Sequence, residues 1–408
     1  MKFKILKNIF WLLAERFVQV IATFIISGLI SRQLGVAEYG DFQYILSVIL
    51  IFSAAGLICS AEVLLPKVTL ASKEELNDLI LSSFILRLIA AFVAYFLMIL
   101  YGNFYFENEK LFYLLCILGI TILFREPFAV VLIYFQSITF SKPIALTSIA
   151  LSTFKILILL IGFNEKIIDF KFLCVIWILE VLISSVIYSY LYFNEINKLE
   201  VVQKVKLKNI LKLWKEGFMY WMPLVLMTFF WRIDRILVKN IVSEHDAGIY
   251  LAGMQLFDAV VSIALIISVS LAPSLIYQYS DEIKIKVNSF KLVFFMTMAG
   301  IICAFIGYFF SPYLVPRVFG AAFIEAVPIV QTALCLSLLV FVDAALTVNL
   351  IKRLGAYYAF KKWISIIFIA VPIEYFAVTL WGGQAAHLGI AAGYCFALIF
   401  GFYQLNKS

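Results

Sequence analysis

Long apolar runs separated by short polar stretches set the pattern of this chain. Each run is continuous for roughly 18–23 residues, about what an α-helix needs to cross ~30 Å of hydrocarbon. None shows the two-residue alternation of a barrel strand. Twelve runs predict transmembrane helices over residues 9–31, 42–64, 79–101, 112–133, 144–162, 172–193, 218–239, 251–273, 291–311, 329–350, 364–381 and 388–405. The longest polar connection, 194–216, is also the densest in lysine and divides the spans six and six. The predicted fold is an all-α polytopic membrane protein: an N-terminal six-helix lobe over 1–193, a basic cytoplasmic linker over 194–217 and a C-terminal six-helix lobe over 218–408.

Lysine and arginine give the orientation, because basic residues gather on the cytoplasmic side. With the N-terminus inside, that side collects Lys2, Lys4, Lys7, Lys67, Lys73 and Lys142, then Lys198, Lys204, Lys206, Lys208, Lys212 and Lys215 of the linker. Lys284, Lys286, Lys291, Lys352, Arg353, Lys361, Lys362 and Lys407 follow. The opposite side has Arg32, Lys110, Lys166, Lys171, Lys239 and Arg317. Twenty against six places both termini in the cytoplasm. The net charge of +7 therefore reflects sidedness rather than a nucleic-acid surface. A composition 64% hydrophobic and 14% charged agrees with a membrane protein. The basic start leads into an apolar run reaching Ile30 without a small-residue cleavage site, so it reads as a retained first helix. The six cysteines fall in apolar runs without metal-ligand spacing and read as buried small hydrophobes. Trp11, Trp214, Trp221, Trp363 and Trp381, near span ends, read as an interfacial belt. The two histidines, His245 and His387, fall in separate outer loops.

Charges inside the spans change this picture most. Residues 220–250 are apolar enough to cross a bilayer, yet they carry Arg232, Asp234 and Arg235 within one helical turn. A charge near the bilayer centre costs about 2.5–3.5 kcal/mol on insertion scales, so such residues need a wet cavity, a counter-ion or a ligand. The first six spans hold Arg16, Arg87, Arg125 and Lys155 against Glu15, Glu126 and Glu180; the second six hold Arg232 and Arg235 against Asp234, Asp258, Asp343 and Glu374. Depth along the helices favours Arg16, Arg87, Lys155, Arg232 and Arg235 as contacts for an anionic ligand. Glu15, Glu180, Asp234, Asp258, Asp343 and Glu374 are left as counter-ions or ion-coupling groups, and Asp258 lies at the depth of Arg235. The turn LGVAEYGDFQYILSV has a faint echo in IVSEHDAGIYLAGMQLFDAV, with Gly40 and Gly248 at matching places.

Three motifs, SRQLGVAEYGDFQYILSV, WRIDRILVKNIVSEHDAGIYLAGMQLFD with its downstream SLAPSL, and YLVPRVFGAAFIEAVPIVQTAL, follow one another along the chain. In order and spacing they resemble the O-antigen repeat-unit flippases of the polysaccharide transporter family, in the superfamily of the multidrug and toxin extrusion transporters. That resemblance implies two six-helix lobes around a cavity open alternately to either side. It implies a cargo of undecaprenyl diphosphate bearing a short oligosaccharide, carried from the inner to the outer leaflet of the bacterial cytoplasmic membrane. The Arg232–Asp234–Arg235 group matches the motif region thought to meet the diphosphate. A proton or sodium ion is the expected exchange partner, polymerase and chain-length proteins are the expected pathway partners, and a monomer without cofactor or metal is expected. The chain ends at its twelfth span, whereas lipid II flippases carry two more.

Two rivals stand beside this reading. A cation-coupled multidrug exporter would use cavity acids, which the second lobe supplies. A membrane-bound polysaccharide polymerase or ligase would need a nucleophile–base pair or a sizeable outer loop, and neither is visible, so a transporter rather than an enzyme is expected.

Overall fold

The computed structural model describes residues 2–197, 207–279 and 281–407. Lys198, Lys204 and Lys206 of the basic linker lie outside them. Among the described residues there is no strand. The helices are α1 (Lys2–Gly56), α2 (Ala61–Leu70), α3 (Lys73–Tyr105), α4 (Glu109–Gly119), α5 (Thr121–Ser137), α6 (Lys142–Asn164) and α7 (Phe170–Asn197). They continue as α8 (Leu207–Ile241), α9 (Glu244–Ala272), α10 (Glu282–Phe319), α11 (Ala326–Leu354), α12 (Ala356–Trp381) and α13 (Ala386–Lys407). A helix closes every backbone hydrogen bond within one segment, which is what an apolar run in hydrocarbon requires. Where polar residues return, they cap: Ser72 and Glu75 form a reciprocal capping box before α3, and the Ser243 hydroxyl accepts from the Asp246 N–H before α9.

Ten of the described helical segments are long and apolar enough to cross a membrane. The protein is thus a multi-pass membrane protein, and Phe96, Phe154, Phe305 and Phe309, each more than half exposed, suit a lipid-facing surface. The first segment, Phe10–Gly56, holds two of the predicted spans, separated by Gly35 at φ 76°, ψ −178°. Only glycine adopts that conformation cheaply. α8 falls outside the ten because Lys212, Lys215 and Glu216 precede its apolar stretch and Arg232, Asp234 and Arg235 interrupt its end. The span expected to reach residue 64 stops at Gly56, and a break through Cys59, at φ 58°, leads into the short α2.

The helices gather into two compact units, Met1–Gln33 with Ile45–Val225, and Leu34–Tyr44 with Leu226–Ser408. The division runs through α8 rather than the lysine-rich connection, and an eleven-residue piece of α1 belongs with the second unit. In the first unit α3 packs on α5, α5 on α7 and α2, around Leu64, Ile80, Val130, Phe135, Tyr192 and Leu213. In the second, α10 lies along α11, α11 on α9 and α13, and α12 on α13. The 34–44 piece enters this second core through Tyr39, whose ring lies 6.0 Å from Phe319 and 5.6 Å from Phe323. Lys239 pairs with Asp41 at 2.6 Å. Gly40 and Gly248, matched by the sequence echo, meet directly: a Cβ built on Gly40 would lie 2.7 Å from the Gly248 Cα.

Candidate functional site

The cluster on α8 is built against α9. Three residues apart, Arg232 and Arg235 share a helix face, and both reach Asp258. Arg232 Nη1 lies 2.6 Å from Asp258 Oδ2, and Arg235 Nη2 lies 2.7 Å from Oδ1. Equal depth on neighbouring spans suggested the second pair, and it is present. Asp234 Oδ1 accepts from Arg235 Nη1 at 3.0 Å, and its Oδ2 accepts from the Tyr250 hydroxyl at 2.9 Å. Neighbours in sequence normally diverge on a helix; these meet because the guanidinium folds back, donating to the Trp231 carbonyl at 2.5 Å. Arg235 and Asp234 are both buried. Beside them lies a cavity of about 20 Å³ lined by Phe230, Trp231, Asp234, Phe257, Asp258 and Tyr394, room for about one water. Trp231 Nε1 donates to the Tyr394 hydroxyl at 2.8 Å.

Two further buried groups lie in the second unit. Lys362, counted with the cytoplasmic lysines, is instead buried, with Nζ at 2.9 Å from Asp343 Oδ1 and 2.6 Å from Thr347 Oγ1. Its neighbour Trp363 is buried against Phe230 rather than set in an interfacial belt. Glu374 has no exposed surface, and neither carboxylate oxygen finds a partner among the described residues. Nearby in the fold is His387, expected in an outer loop but buried at the start of α13. Its ring lies 5.7 Å from that of Tyr250, and its Nε2 is unpartnered. His245 is exposed, as a loop histidine should be. Among the described residues no group of three or more potential ligands could hold a metal, and all six cysteines are free, Cys335 and Cys395 at exposed positions.

The first unit treats its charges differently. Arg87 is buried and spends its guanidinium on backbone: Nε to Ile58 O at 3.1 Å, Nη2 to Cys59 O at 2.9 Å and Nη1 to Glu126 O at 3.3 Å. It stops the carbonyls that the break after α1 sets free, so its geometry is that of a brace. Glu126 accepts from the Ser53 hydroxyl at 2.5 Å. Lys155 on α6 lies 2.6 Å from Glu180 on α7 and 3.2 Å above the Trp177 ring. Arg16 is exposed and donates to Gln19 at 3.2 Å; Gln19 in turn donates to Glu15 at 3.3 Å and to Ser148 of α6 at 2.7 Å. The residues singled out by depth thus fall into separate sets: Arg232, Asp234, Arg235 and Asp258 together in one unit, Glu15, Arg16, Lys155 and Glu180 in the other. Glu374 lies within electrostatic range of Asp234 and Arg235, whereas Asp343 is paired with Lys362 and Arg87 is spent on carbonyls.

A family of sequences described as polysaccharide biosynthesis proteins matches residues 5–276. No curated protein matches the chain. Solved structures do. The lipid II flippase MurJ in an inward closed conformation is similar with a TM-score of 0.71 at 14% identity, covering 98% of this chain and 88% of that one. The eukaryotic MATE transporter AtDTX14 gives 0.71 at 9% identity over 100% and 96%. A MOP superfamily transporter from Pyrococcus furiosus gives 0.67 at 13% identity over 99% and 95%. At these identities the likeness establishes the fold.

Proposed function

Because the chain belongs to the polysaccharide biosynthesis protein family, we propose that it is a flippase for a polyprenyl-diphosphate-linked oligosaccharide. The cargo is undecaprenyl diphosphate bearing an O-antigen or similar repeat unit, moved from the inner to the outer leaflet of the bacterial cytoplasmic membrane by alternating access. In this reading twelve spans cross the membrane with both termini inside, two of them within α1 and one in α8.

The family match is what favours this cargo over a cationic drug, and the charges inside the spans are compatible with it. The intramembrane acids are already taken: Glu180 by Lys155, Asp258 by both arginines, Asp234 by Arg235 and Asp343 by Lys362, all at 2.6–3.0 Å. Glu15 and Glu374 are buried. These pairs present both signs of charge, and a carrier of diphosphate uses cations whose partners can be exchanged for phosphate oxygens. Arg16, Lys155, Arg232 and Arg235 meet that description. Arg87, with its guanidinium on three carbonyls, serves the scaffold.

Coupling falls to Glu374. An ionised carboxylate sealed from water with no donor on either oxygen, and within electrostatic range of Asp234, is too costly to persist, so the group holds a proton or a small cation there. Exchange of that ion for cargo would drive transport; in vesicles, flipping unaffected by collapse of both proton and sodium gradients would exclude it. For the function itself, deletion of the gene should trap lipid-linked single repeat units on the cytoplasmic face. Their accumulation, unpolymerised, on the periplasmic face would refute the assignment.

A further inference from the structure

At the end of the second unit where the sequence gathers its lysines, one arginine is left with a donor to spare. Arg353 lies in the last turn of α11, and only 8% of its side chain is exposed. Its Nη1 is buried and has no hydrogen-bond partner among the described residues. Other buried bases are matched: Arg87 by carbonyls, Lys155 by Glu180, Arg235 by Asp234 and Asp258, Lys362 by Asp343. A buried N–H without an acceptor is rare, because it gives up its water for nothing in return. The carboxylates close by do not answer it. Glu282 Oε2 lies 4.0 Å from Nη2, beyond hydrogen-bond reach, and Glu282 itself is exposed, so that pair is weak and screened by salt. Asp281 is engaged as the N-cap of α10, accepting from the Ile283 N–H at 2.9 Å.

The guanidinium lines a crevice with Asn349, Leu350 and Leu354 of α11 and with Gly401 and Gln404 of α13. The two helices come this close because residue 401 is glycine: a Cβ there would sit 2.9 Å from Leu346 Cδ1. The lining is amphiphilic, leucines beside a guanidinium and two carboxamides. Lys352, Lys361 and Lys407 are exposed at the same end, and Lys407, three residues beyond Gln404, shares its helix face. Lys361 Nζ stands 4.5 Å from the Tyr357 ring and Lys407 Nζ 5.7 Å from the Tyr403 ring, both tyrosines being exposed. Tyrosine and lysine together at the end of a span mark the level of the lipid headgroups.

We propose that the crevice at Arg353 binds the headgroup of an anionic phospholipid, such as phosphatidylglycerol, from the leaflet at this end of the helices. Arg353 Nη1 donates to a phosphodiester oxygen, which takes the place that Glu282 is too distant to fill. The leucines meet the apolar part of the lipid, which a free phosphate lacks. Lys352, Lys361 and Lys407 favour a lipid of net negative charge over a zwitterion. The site shares no residue with the Arg232–Asp258 cluster and rests on no reading of the cargo.

The full chain, purified in a non-ionic detergent and stripped of lipid, is titrated with phosphatidylglycerol and phosphatidylcholine carrying the same fluorescent acyl chain. Wild type should bind phosphatidylglycerol at least tenfold tighter. Arg353→Gln should remove most of that preference and Arg353→Lys should restore part of it, both eluting as the wild type does on gel filtration. Lys284→Ala, an exposed lysine of α10 at the same end, should change affinity less than twofold. Equal affinity of wild type for the two lipids would overturn the proposal without any variant. So would wild-type binding by Arg353→Gln, or an equal loss in Lys284→Ala, which would make the attraction a diffuse surface charge. Inorganic phosphate bound more tightly than phosphatidylglycerol, and lost in Arg353→Gln, would give the site to a free anion and remove the lipid.

Discussion

Asp258 accepts from two guanidiniums at once, so each charge in that cluster is compensated only while the others stay. Removing one partner of a buried ion pair costs about 3–5 kcal/mol because the remaining charge is stranded. Arg235→Ala should therefore lower the melting temperature in detergent along with surface polysaccharide, and Arg235→Lys should restore both only partly, since an ammonium cannot reach Asp258, Asp234 and the Trp231 carbonyl together. Adding Asp234→Asn to Arg235→Ala, which leaves Arg232 with Asp258, should recover stability without transport; no recovery would mean that Asp234 and Arg235 do not act as a pair. Arg87 leads to a different expectation. Each hydrogen bond from a charged donor is worth about 1.5–3 kcal/mol, and Arg87→Met removes three from buried carbonyls. The melting temperature should fall steeply, whereas any folded fraction should keep flipping lipid-linked sugar in vesicles. A stable Arg87→Met protein that fails to flip would return Arg87 to the cargo.

At the scale of the helix, Gly40 and Gly248 let the 34–44 piece and α9 come close. A Cβ on Gly248 would sit 2.2 Å from the Val36 carbonyl oxygen, so Gly248→Ala must push α9 away from the 34–44 turn. Overpacking of this kind costs about 1–3 kcal/mol, and a melting curve unchanged by Gly248→Ala would show that the turn yields freely. Gly35→Ala meets no atom within 4 Å, so its cost is conformational alone. Where the helices lie was legible in the sequence, because apolar length and caps are local properties. Which way their charges point was not. Lys362 reads as a cytoplasmic lysine until α11 sets Asp343 beside it, and His387 reads as a loop residue until Tyr250, far away in the chain, covers it. Arg87 has the depth of a ligand contact, and nothing local announces that the second span breaks after Gly56. Two of its three partners, the carbonyls of Ile58 and Cys59, are made available by that break. Asp258 and Arg235 could be matched beforehand because they sit at one depth on consecutive spans.

The whole molecule carries its second unit on two separated stretches of chain. Residues 207–408 produced alone would lack Tyr39 from the pocket of Phe319 and Phe323 and would leave Lys239 without Asp41. That fragment should be aggregated or rapidly degraded, and coexpression with residues 1–206 should rescue it. A folded, monodisperse fragment would show that the borrowed turn contributes little. The same arrangement has a consequence in time. Tyr39 leaves the ribosome 280 residues before Phe319, and at about 5–20 residues per second this is an interval of roughly 14–56 s. For that interval an acidic, aromatic turn must wait at the membrane for a core that has not been made. The turn is therefore exposed to proteases and insertion factors longer than any other part of the second unit, and slowing translation between the two stretches should lower the yield of folded protein without changing its sequence.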